Sequence, residues 1–214
     1  MTALKVRAAR FFAALFLIAG LACLSVQNAE ASSPSRHVLE TTIQQCLSML
    51  ADPAYNNPAT QDAQRSKIEK LVRTVFDFGE FSARTVGQRW NSFTPQQQQE
   101  FSNAFADLLL ATYLGQLRTY NGEQVRYISE RANSKGTRVE QQTELTMKDG
   151  KVIPVAYRML EKNSQWVVYD VIVEGVSLVK NYRSQFQDIL TTATPEELIK
   201  RIKDKTSEKR AGKP

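Results

Sequence analysis

Residues 165–186 read QWVVYDVIVEGVSLVKNYRSQF, and this stretch decides the fold of the chain. Its first nine residues are β-branched and aromatic, a composition that predicts a strand apolar on both faces except at Asp170. Gly175 ends the strand, and Val179 and Phe186 then repeat at helical spacing. A strand that is apolar on both faces has to be covered on both sides. The stretch therefore predicts a central strand followed directly by a helix.

Three more strands are predicted upstream, rich in Val, Ile, Tyr and Thr, at residues 125–131, 137–147 and 152–160. The connections between the four strands are short, so an antiparallel meander is expected. Asp149-Gly150 is a strong hairpin signal because this pair tolerates positive φ. A strict two-residue turn there would place Val155 and Tyr157 on the same face as Glu144 and Gln142. The sequence leaves this conflict open.

Helices are predicted on both sides of the sheet, which makes the chain an α+β protein. The apolar spacing predicts them at residues 34–50, 68–76, 78–87, from Thr94 to about Tyr120, at 177–190, and from Thr194 onwards. Asp77, Thr94 and Thr194 are the expected N-caps, each followed three residues later by Glu or Gln. Residues 52–60 are expected to form a loop. Residues 203–214 are expected to be polar and frayed, with 207–214 as a tail outside the domain.

The first 31 residues have the pattern of a secretory signal peptide. Lys5, Arg7 and Arg10 precede an apolar run at 11–26, and a small-x-small sequence ends at Ala31. Cleavage is therefore expected near Ala31 and Ser32, leaving one domain at residues 32–206. No later segment approaches a transmembrane span, so the processed protein is expected to be soluble and to work outside the cytoplasm.

Charge and cysteine content narrow the possible functions. Cleavage lowers the net charge from +6 to +4, because three cations leave together with Glu30. This is too weak for a nucleic-acid partner but suits an anionic surface. Cys46 is the only cysteine after residue 31, so an internal disulfide is excluded, and we interpret it as a buried structural thiol.

Residues for catalysis or metal binding are scarce. His37 is the only histidine, and the sequence has no CxxC, no HExxH and no glycine-rich phosphate loop. No cofactor or metal is therefore expected. Asp170 and Glu174 could support acid–base chemistry in a lipid- or glycan-modifying enzyme. The alternative that we favour is that Asp170 pairs with Arg158 or Arg183, or caps a turn.

Several blocks resemble the MlaC family of periplasmic phospholipid-binding, or toluene-tolerance, proteins. The longest is residues 171–186, VIVEGVSLVKNYRSQF, which closely resembles the family signature. Blocks in the same order and spacing are residues 76–78, Gly87 with Trp90, 94–97 with Phe101 and Phe105, 108–109 with 112–113, 154–158 and 166–170. The resemblance covers roughly residues 36–205.

The resemblance implies a curved antiparallel sheet of about four strands, wrapped by six or seven helices that enclose an apolar lipid pocket. It implies a carrier that shuttles phospholipid between the MCE-domain subunit of an inner-membrane ABC transporter and an outer-membrane lipoprotein–porin complex, keeping the outer membrane asymmetric. Phospholipid is then the cargo, and the carrier is expected to be a monomer. The excess of aromatic residues over the needs of a thin domain agrees with such a pocket.

The candidate pocket wall combines residues of the long helix, the sheet and the signature helix. These residues are Phe105, Leu109, Tyr113, Val155, Tyr157, Tyr169, Val171, Tyr182 and Phe186. Asn181 and Arg183 are interpreted as structural residues that bond the signature helix to the sheet, with a role at the rim of the pocket as the alternative. A second alternative stays open: an adaptor protein whose apolar residues all belong to the core and which binds no ligand.

Overall fold

The computed structural model describes residues 32–114 and 124–211. The predicted signal peptide and Tyr120 lie outside these residues. Within them the helices are α1 Pro34–Ala51, α2 Pro53–Asn56, α3 Gln61–Val75, α4 Phe78–Val86, α5 Pro95–Leu114, α6 Leu178–Leu190 and α7 Pro195–Arg210. A 3₁₀ helix, Gly87–Ser92, joins α4 to α5. The strands are β1 Gln124–Ala132, β2 Arg138–Thr146, β3 Val152–Lys162, β4 Gln165–Val173 and β5 Val176–Ser177.

The strands form one open antiparallel sheet in the order β1-β2-β3-β4-β5. The α+β class and the four-strand meander are therefore confirmed, with the two-residue β5 as an addition. One extra residue interrupts the ladder twice, Ile128 in β1 and Tyr169 in β4. Such bulges bend the strand that carries them.

The predicted helix starts are confirmed by their caps. The side chain of Asp77 accepts a hydrogen bond from the backbone N–H of Glu80 at 2.9 Å. Thr94 and Gln97 bond each other reciprocally, side chain to backbone, at 3.2 and 2.7 Å. Thr194 forms the same capping box at the start of α7. These caps occupy N–H groups that the first turn of a helix leaves unpaired.

Two expectations about irregular segments are wrong. Residues 52–60 include the short helix α2, because Asp52 caps it and the buried Tyr55 anchors it. Residues 203–210 are helical rather than frayed. In that segment Thr206 is buried and donates its hydroxyl to the carbonyl of Ile202 at 2.8 Å, so the last turns of α7 remain packed.

The β2–β3 hairpin turns through three residues, not two. The N–H of Met147 donates to the carbonyl of Lys151 at 2.8 Å, so that residues 148–150 form the loop. Gly150 supplies the positive φ, at 83°. This length resolves the conflict in the sequence: Val155 pairs with Thr143 and Tyr157 pairs with Gln141.

Candidate ligand-binding site

Helices α1 and α3 pack against one face of the sheet, which we call the inward face. Val139, Met159 and Val168 lie on it, fully or almost fully buried against Leu39 of α1 and Val75 of α3. Around them lie half-buried apolar side chains: Val38, Ile43, Phe76, Tyr127, Tyr157, Trp166 and Val171. The interface between α1 and the inward face is thus apolar, with a tightly buried centre and a looser periphery.

A second apolar cluster lies among helices α4 to α7, and we call it the helical cluster. Phe105 has no exposed surface and its ring packs against Tyr182 at 4.9 Å and Phe186 at 5.2 Å between centroids. Phe101 meets Phe186 edge-on at 5.4 Å. Aromatic pairs in this geometry add to the free energy of area burial. The helical cluster is therefore a well-packed core.

The structure divides the nine predicted wall residues between these two regions. Phe105, Leu109 and Phe186 are buried in the helical cluster, and Tyr113 and Tyr182 pack against it. Among the sheet residues, Tyr157 and Val171 belong to the inward face. Val155 is half-buried and pairs with Thr143. Tyr169 lies at the β4 bulge, with the guanidinium of Arg84 over its ring. Phe76 packs against both regions and links them.

Tyr113 and Tyr182 form a hydrogen-bonded pair at the edge of the helical cluster. Burial raises the pKa of both phenols, and Tyr182 also interacts with Thr112. Both rings therefore stay neutral at physiological pH. An apolar body with a satisfied hydroxyl suits the boundary between a core and a ligand.

Cys46 of α1 is half-buried beside the apolar cluster of Leu50 and Ile68, and its thiol influences Tyr157 of the inward face electrostatically. Burial raises the pKa of the Cys46 thiol to about 11, and burial together with the nearby Cys46 raises the pKa of Tyr157 to about 12. Both groups are therefore uncharged at neutral pH. The raised pKa agrees with the interpretation of Cys46 as a structural thiol, but the residue is half-buried rather than buried as predicted.

Polar residues on the inward face were missed by the sequence analysis. Gln141 and Thr143 are 1% and 3% exposed, and both are occupied: Gln141 donates to Glu130, and Thr143 donates to the carbonyl of Val155 at 2.9 Å. Tyr127 of β1 lies opposite Thr143. If the turn had been taken as the three residues Lys148 to Gly150 instead of two, the sequence would have assigned Gln141 and Thr143 to the inward face.

The carboxylates of the enzyme hypothesis have structural partners. Asp170 is 2% exposed and accepts hydrogen bonds from Arg158 at 3.2 Å, from Ser177 at 2.7 Å and from the N–H of Val179 at 3.0 Å. Glu174 is exposed and pairs with Lys151 at 3.6 Å. The favoured pairing of Asp170 with Arg158 is confirmed. These bonds tie β4 to the start of α6.

Arg183 bonds a helix rather than the sheet, which corrects the expectation for this residue. Its Nε donates to the carbonyl of Arg84 at 2.7 Å, in the last turn of α4. A cation is favourable there because helix C-termini carry unpaired carbonyls and a partial negative charge. Asn181 is exposed and accepts from Gln185 within α6.

Two clefts open at the surface of the described residues. The first, of about 280 Å³, lies on the other face of the sheet beside Ile128, Pro154, Ala156 and Ile172, and of the nine predicted residues it includes Val155. The second, of about 560 Å³, lies between α4, α5 and the end of the sheet, and its lining includes Phe78, Trp90, Gln98 and Lys162. The second cleft includes none of the nine, so these two clefts do not bring the predicted wall residues together.

Residues 32–114 and 124–211 contain neither a metal-binding cluster nor a membrane-spanning helix. Within this part of the chain, no three His, Cys, Asp or Glu side chains are placed to hold a metal ion. Within the same part, no helix is both long enough and apolar enough to cross a membrane.

Comparison with solved structures identifies the class of fold. The chain resembles a phospholipid-binding protein from Ralstonia solanacearum, solved in complex with a phospholipid, with a TM-score of 0.72 and 24% identity. The match covers 83% of this chain and 99% of that one. The fold is thus the same open sheet covered by helices.

Comparison of sequences identifies the family. The chain is 25% identical over 177 residues to the toluene tolerance protein ttg2D of Pseudomonas putida, covering 82% of this chain and 80% of that one. It is 22% identical over 130 residues to the intermembrane phospholipid transport system binding protein MlaC of Haemophilus influenzae, covering 59% and 60% of the two chains. The family model described as MlaC protein matches residues 40–204. The chain belongs to the MlaC family.

Proposed function

We propose that this chain is a phospholipid carrier of the periplasm, exported by its first 31 residues and cleaved near Ala31 and Ser32. It takes lipid from or delivers it to the MCE-domain subunit of an inner-membrane ABC transporter, and exchanges it with an outer-membrane lipoprotein–porin complex. It works as a monomer and helps to keep the outer membrane asymmetric. Family membership and the fold shared with a phospholipid-binding protein support this proposal.

The observation that carries the proposal is the construction of the inward face. Ile43 of α1 and Tyr157 and Val171 of the sheet are only half-buried, although they surround a fully buried centre. An acyl chain that enters between α1 and the sheet would cover these side chains. Such a periphery is what a removable apolar ligand needs.

Burial of acyl chains supplies the affinity. Each CH₂ group removed from water contributes about 0.8 kcal/mol, so two chains of ordinary length outweigh a few polar contacts. The head group can then remain near the surface, and selectivity for it is expected to be loose. Spontaneous release is slow for the same reason, so a partner has to open the site.

The nine predicted residues contribute unequally in this proposal. Tyr157 and Val171, with Val155 beside them, contact the acyl chains from the sheet, and Leu109 and the Tyr113–Tyr182 pair contact them from the helices. Phe105 and Phe186 support these helices from within the helical cluster. Tyr169 positions the β4 bulge, where the Arg84 guanidinium lies 4.1 Å from the centre of its ring.

Native mass spectrometry tests the proposal. The processed protein is purified from the periplasm without detergent, and its mass is compared with that of the polypeptide before and after organic extraction. A mass increment that resolves into phospholipid is expected. A clean polypeptide mass, with no lipid taken up from anionic vesicles, would instead favour an adaptor or an enzyme.

A matched pair of variants locates the site. Val171→Asp places a charge on the inward face, where burying it without a partner is strongly unfavourable, and it is expected to abolish the lipid increment. Val176→Asp is the control, because Val176 is 57% exposed. Circular dichroism of both variants has to show the folded protein. A folded Val171→Asp variant that still carries lipid would remove the inward face from the site.

Partner binding is measured separately. The processed chain is titrated into the isolated MCE-domain subunit, and binding is followed by calorimetry, while the transfer of a fluorescent phospholipid is followed in parallel. Binding and transfer are both expected without an energy source. Lipid binding without any partner binding would restrict the function to storage.

A further inference from the structure

Tyr127 is placed unlike the other polar groups of the inward face. Its ring lies against α1, with the guanidinium carbon of Arg36 5.2 Å from the ring centre. Its hydroxyl is completely buried and has no hydrogen-bond partner among the described residues. Burial raises the pKa of Tyr127, with Tyr157 and Glu40 raising it further. The phenol is therefore a neutral donor with nothing to donate to.

A buried donor without an acceptor is unfavourable, and proteins seldom keep one. Three other buried polar atoms of the described residues have no partner, on Arg65, Ser82 and Arg84, but all three lie on helices. Among the described residues, the Tyr127 hydroxyl is the one unpaired buried polar group that lies on the inward face. Its neighbours Gln141 and Thr143 donate to Glu130 and to the carbonyl of Val155, and neither accepts a hydrogen bond from the Tyr127 hydroxyl. The unpaired hydroxyl thus points to an acceptor that a ligand brings.

The surroundings of Tyr127 mark the boundary between a polar rim and an apolar interior. On the rim, Ser35 donates to Glu130 at 2.8 Å, and Arg36 pairs with Glu40 at 2.7 Å. Towards the interior lie Leu39 and Ile43 of α1, on or beside the buried centre. A diacyl lipid has a matching boundary between its polar head group and its apolar chains, and its ester groups lie there.

The local charges favour a neutral acceptor over a phosphate. Arg36 is already paired with Glu40, so the ion pair adds no net positive charge, and the Glu40 carboxylate would repel an anion. An ester carbonyl accepts a hydrogen bond and carries no charge. It can therefore reach the buried hydroxyl at a low desolvation cost.

We propose that Tyr127 donates a hydrogen bond to an ester carbonyl of a bound diacyl lipid and thereby sets the depth at which the lipid is held. This inference rests on the proposed function and adds a specificity to it. The carrier prefers ester-linked lipids over ether-linked lipids, which have the same chains and head group but no carbonyl. Head-group selectivity is left loose.

A competition experiment tests the preference. Vesicles of equimolar diacyl phosphatidylglycerol and its dialkyl ether analogue, of equal chain length, are offered to delipidated protein, and the bound species are counted by native mass spectrometry. The wild type is expected to favour the ester by about tenfold, the effect of one well-placed hydrogen bond to an otherwise unpaired donor. Tyr127→Phe is expected to bind both lipids about equally. The control Tyr55→Phe, at a residue of α2 that belongs to neither the inward face nor the helical cluster, is expected to keep the wild-type ratio.

Two further readouts separate this role from a structural one. In the infrared spectrum, the ¹³C-labelled ester carbonyl of bound lipid should shift to lower frequency in the wild type and not in Tyr127→Phe. The melting temperature of lipid-free Tyr127→Phe should equal or exceed that of the wild type, because the variant removes an unpaired buried hydroxyl. If the hydroxyl had a structural role, its removal in Tyr127→Phe would instead lower the melting temperature of the lipid-free protein.

The outcomes are distinguishable. Equal binding of ester and ether lipids by the wild type, or an ester preference that survives in Tyr127→Phe, overturns the inference and leaves the carrier function intact. Failure of the wild type to bind either lipid overturns the carrier function and the inference with it.

Discussion

The Nη1 atom of Arg158 lies 3.2 Å from a carboxylate oxygen of Asp170, across the β3–β4 ladder. Asp170 is almost completely buried, and it also accepts hydrogen bonds from Ser177 and from the N–H of Val179. Arg158 also pairs with Glu140 of β2 at 2.9 Å. This network connects three strands with the first turn of α6, so it orients the signature helix against the sheet.

Removal of Asp170 is expected to destabilise the protein strongly. Asp170→Ala leaves the buried side of Arg158 and two donors unpaired, which typically costs about 3–5 kcal/mol. Urea unfolding followed by circular dichroism measures the change. Glu174→Ala is the control, since its ion pair with Lys151 is exposed, and an effect within about 0.5 kcal/mol is expected. Equal losses in both variants would contradict the assigned network.

The helical cluster is expected to behave as core. Phe105→Ala removes a fully buried ring that contacts two aromatic neighbours, and a loss of about 3–5 kcal/mol is expected. Ile128→Ala is the control because Ile128 is 43% exposed at the β1 bulge. Thermal unfolding of both variants provides the comparison. A Phe105→Ala variant that is as stable as the control would mean that the cluster is not tightly packed.

The β2–β3 turn is expected to control which residues face inward. Gly150 has φ of 83°, and no atom lies within 4 Å of the position that an alanine methyl would occupy, so Gly150→Ala adds backbone strain alone, about 1 kcal/mol. Deletion of Asp149 leaves two residues between Met147 and Lys151, so either the native register has to close with a two-residue turn or a three-residue turn is kept and β3 shifts by one residue, which exchanges its two faces. Loss of a cooperative melting transition is expected for the deletion. A cooperative melting transition in the deletion variant would contradict this expectation and show that the sheet accommodates the shortened connection between β2 and β3.

Stability is expected to fall in alkaline solution. The thiol of Cys46 has an ordinary pKa of 9.0 and a pKa of about 11 in the folded protein. Its contribution is fully present below pH 9 and is lost as the pH rises towards 11, because the unfolded chain releases the proton first. The expected loss is about 1–2 kcal/mol at pH 10.5.

Urea unfolding at pH 8 and pH 10.5 measures this loss. The Cys46→Ala variant should show a smaller decline, and the decline that remains is attributed to phenols such as Tyr157, whose pKa is about 12. Identical slopes in the wild type and the variant would place the Cys46 thiol in solvent.

Local patterns were sufficient for most elements. The strand at residues 165–173 and the caps at Asp77, Thr94 and Thr194 were predicted because each depends on residues within a few positions of one another. The pairing of Asp170 with Arg158 was among the predicted alternatives, because both residues lie on adjacent strands. The division of the wall residues was not predicted. Whether Phe105 supports a helix core or lines a pocket depends on partners that are distant in the chain.

The sequence by itself determined the order of the helices and strands and the family to which the chain belongs. It also predicted an export signal in the first 31 residues. The tertiary structure alone decided which polar groups enter the interior. Tyr127, Gln141 and Thr143 face α1 because a three-residue turn and a bulge set the register. Side chains alternate across a strand, so one residue of register exchanges its faces. That register is a property of the hydrogen-bonded ladder between strands, and it becomes visible only once the strands are paired.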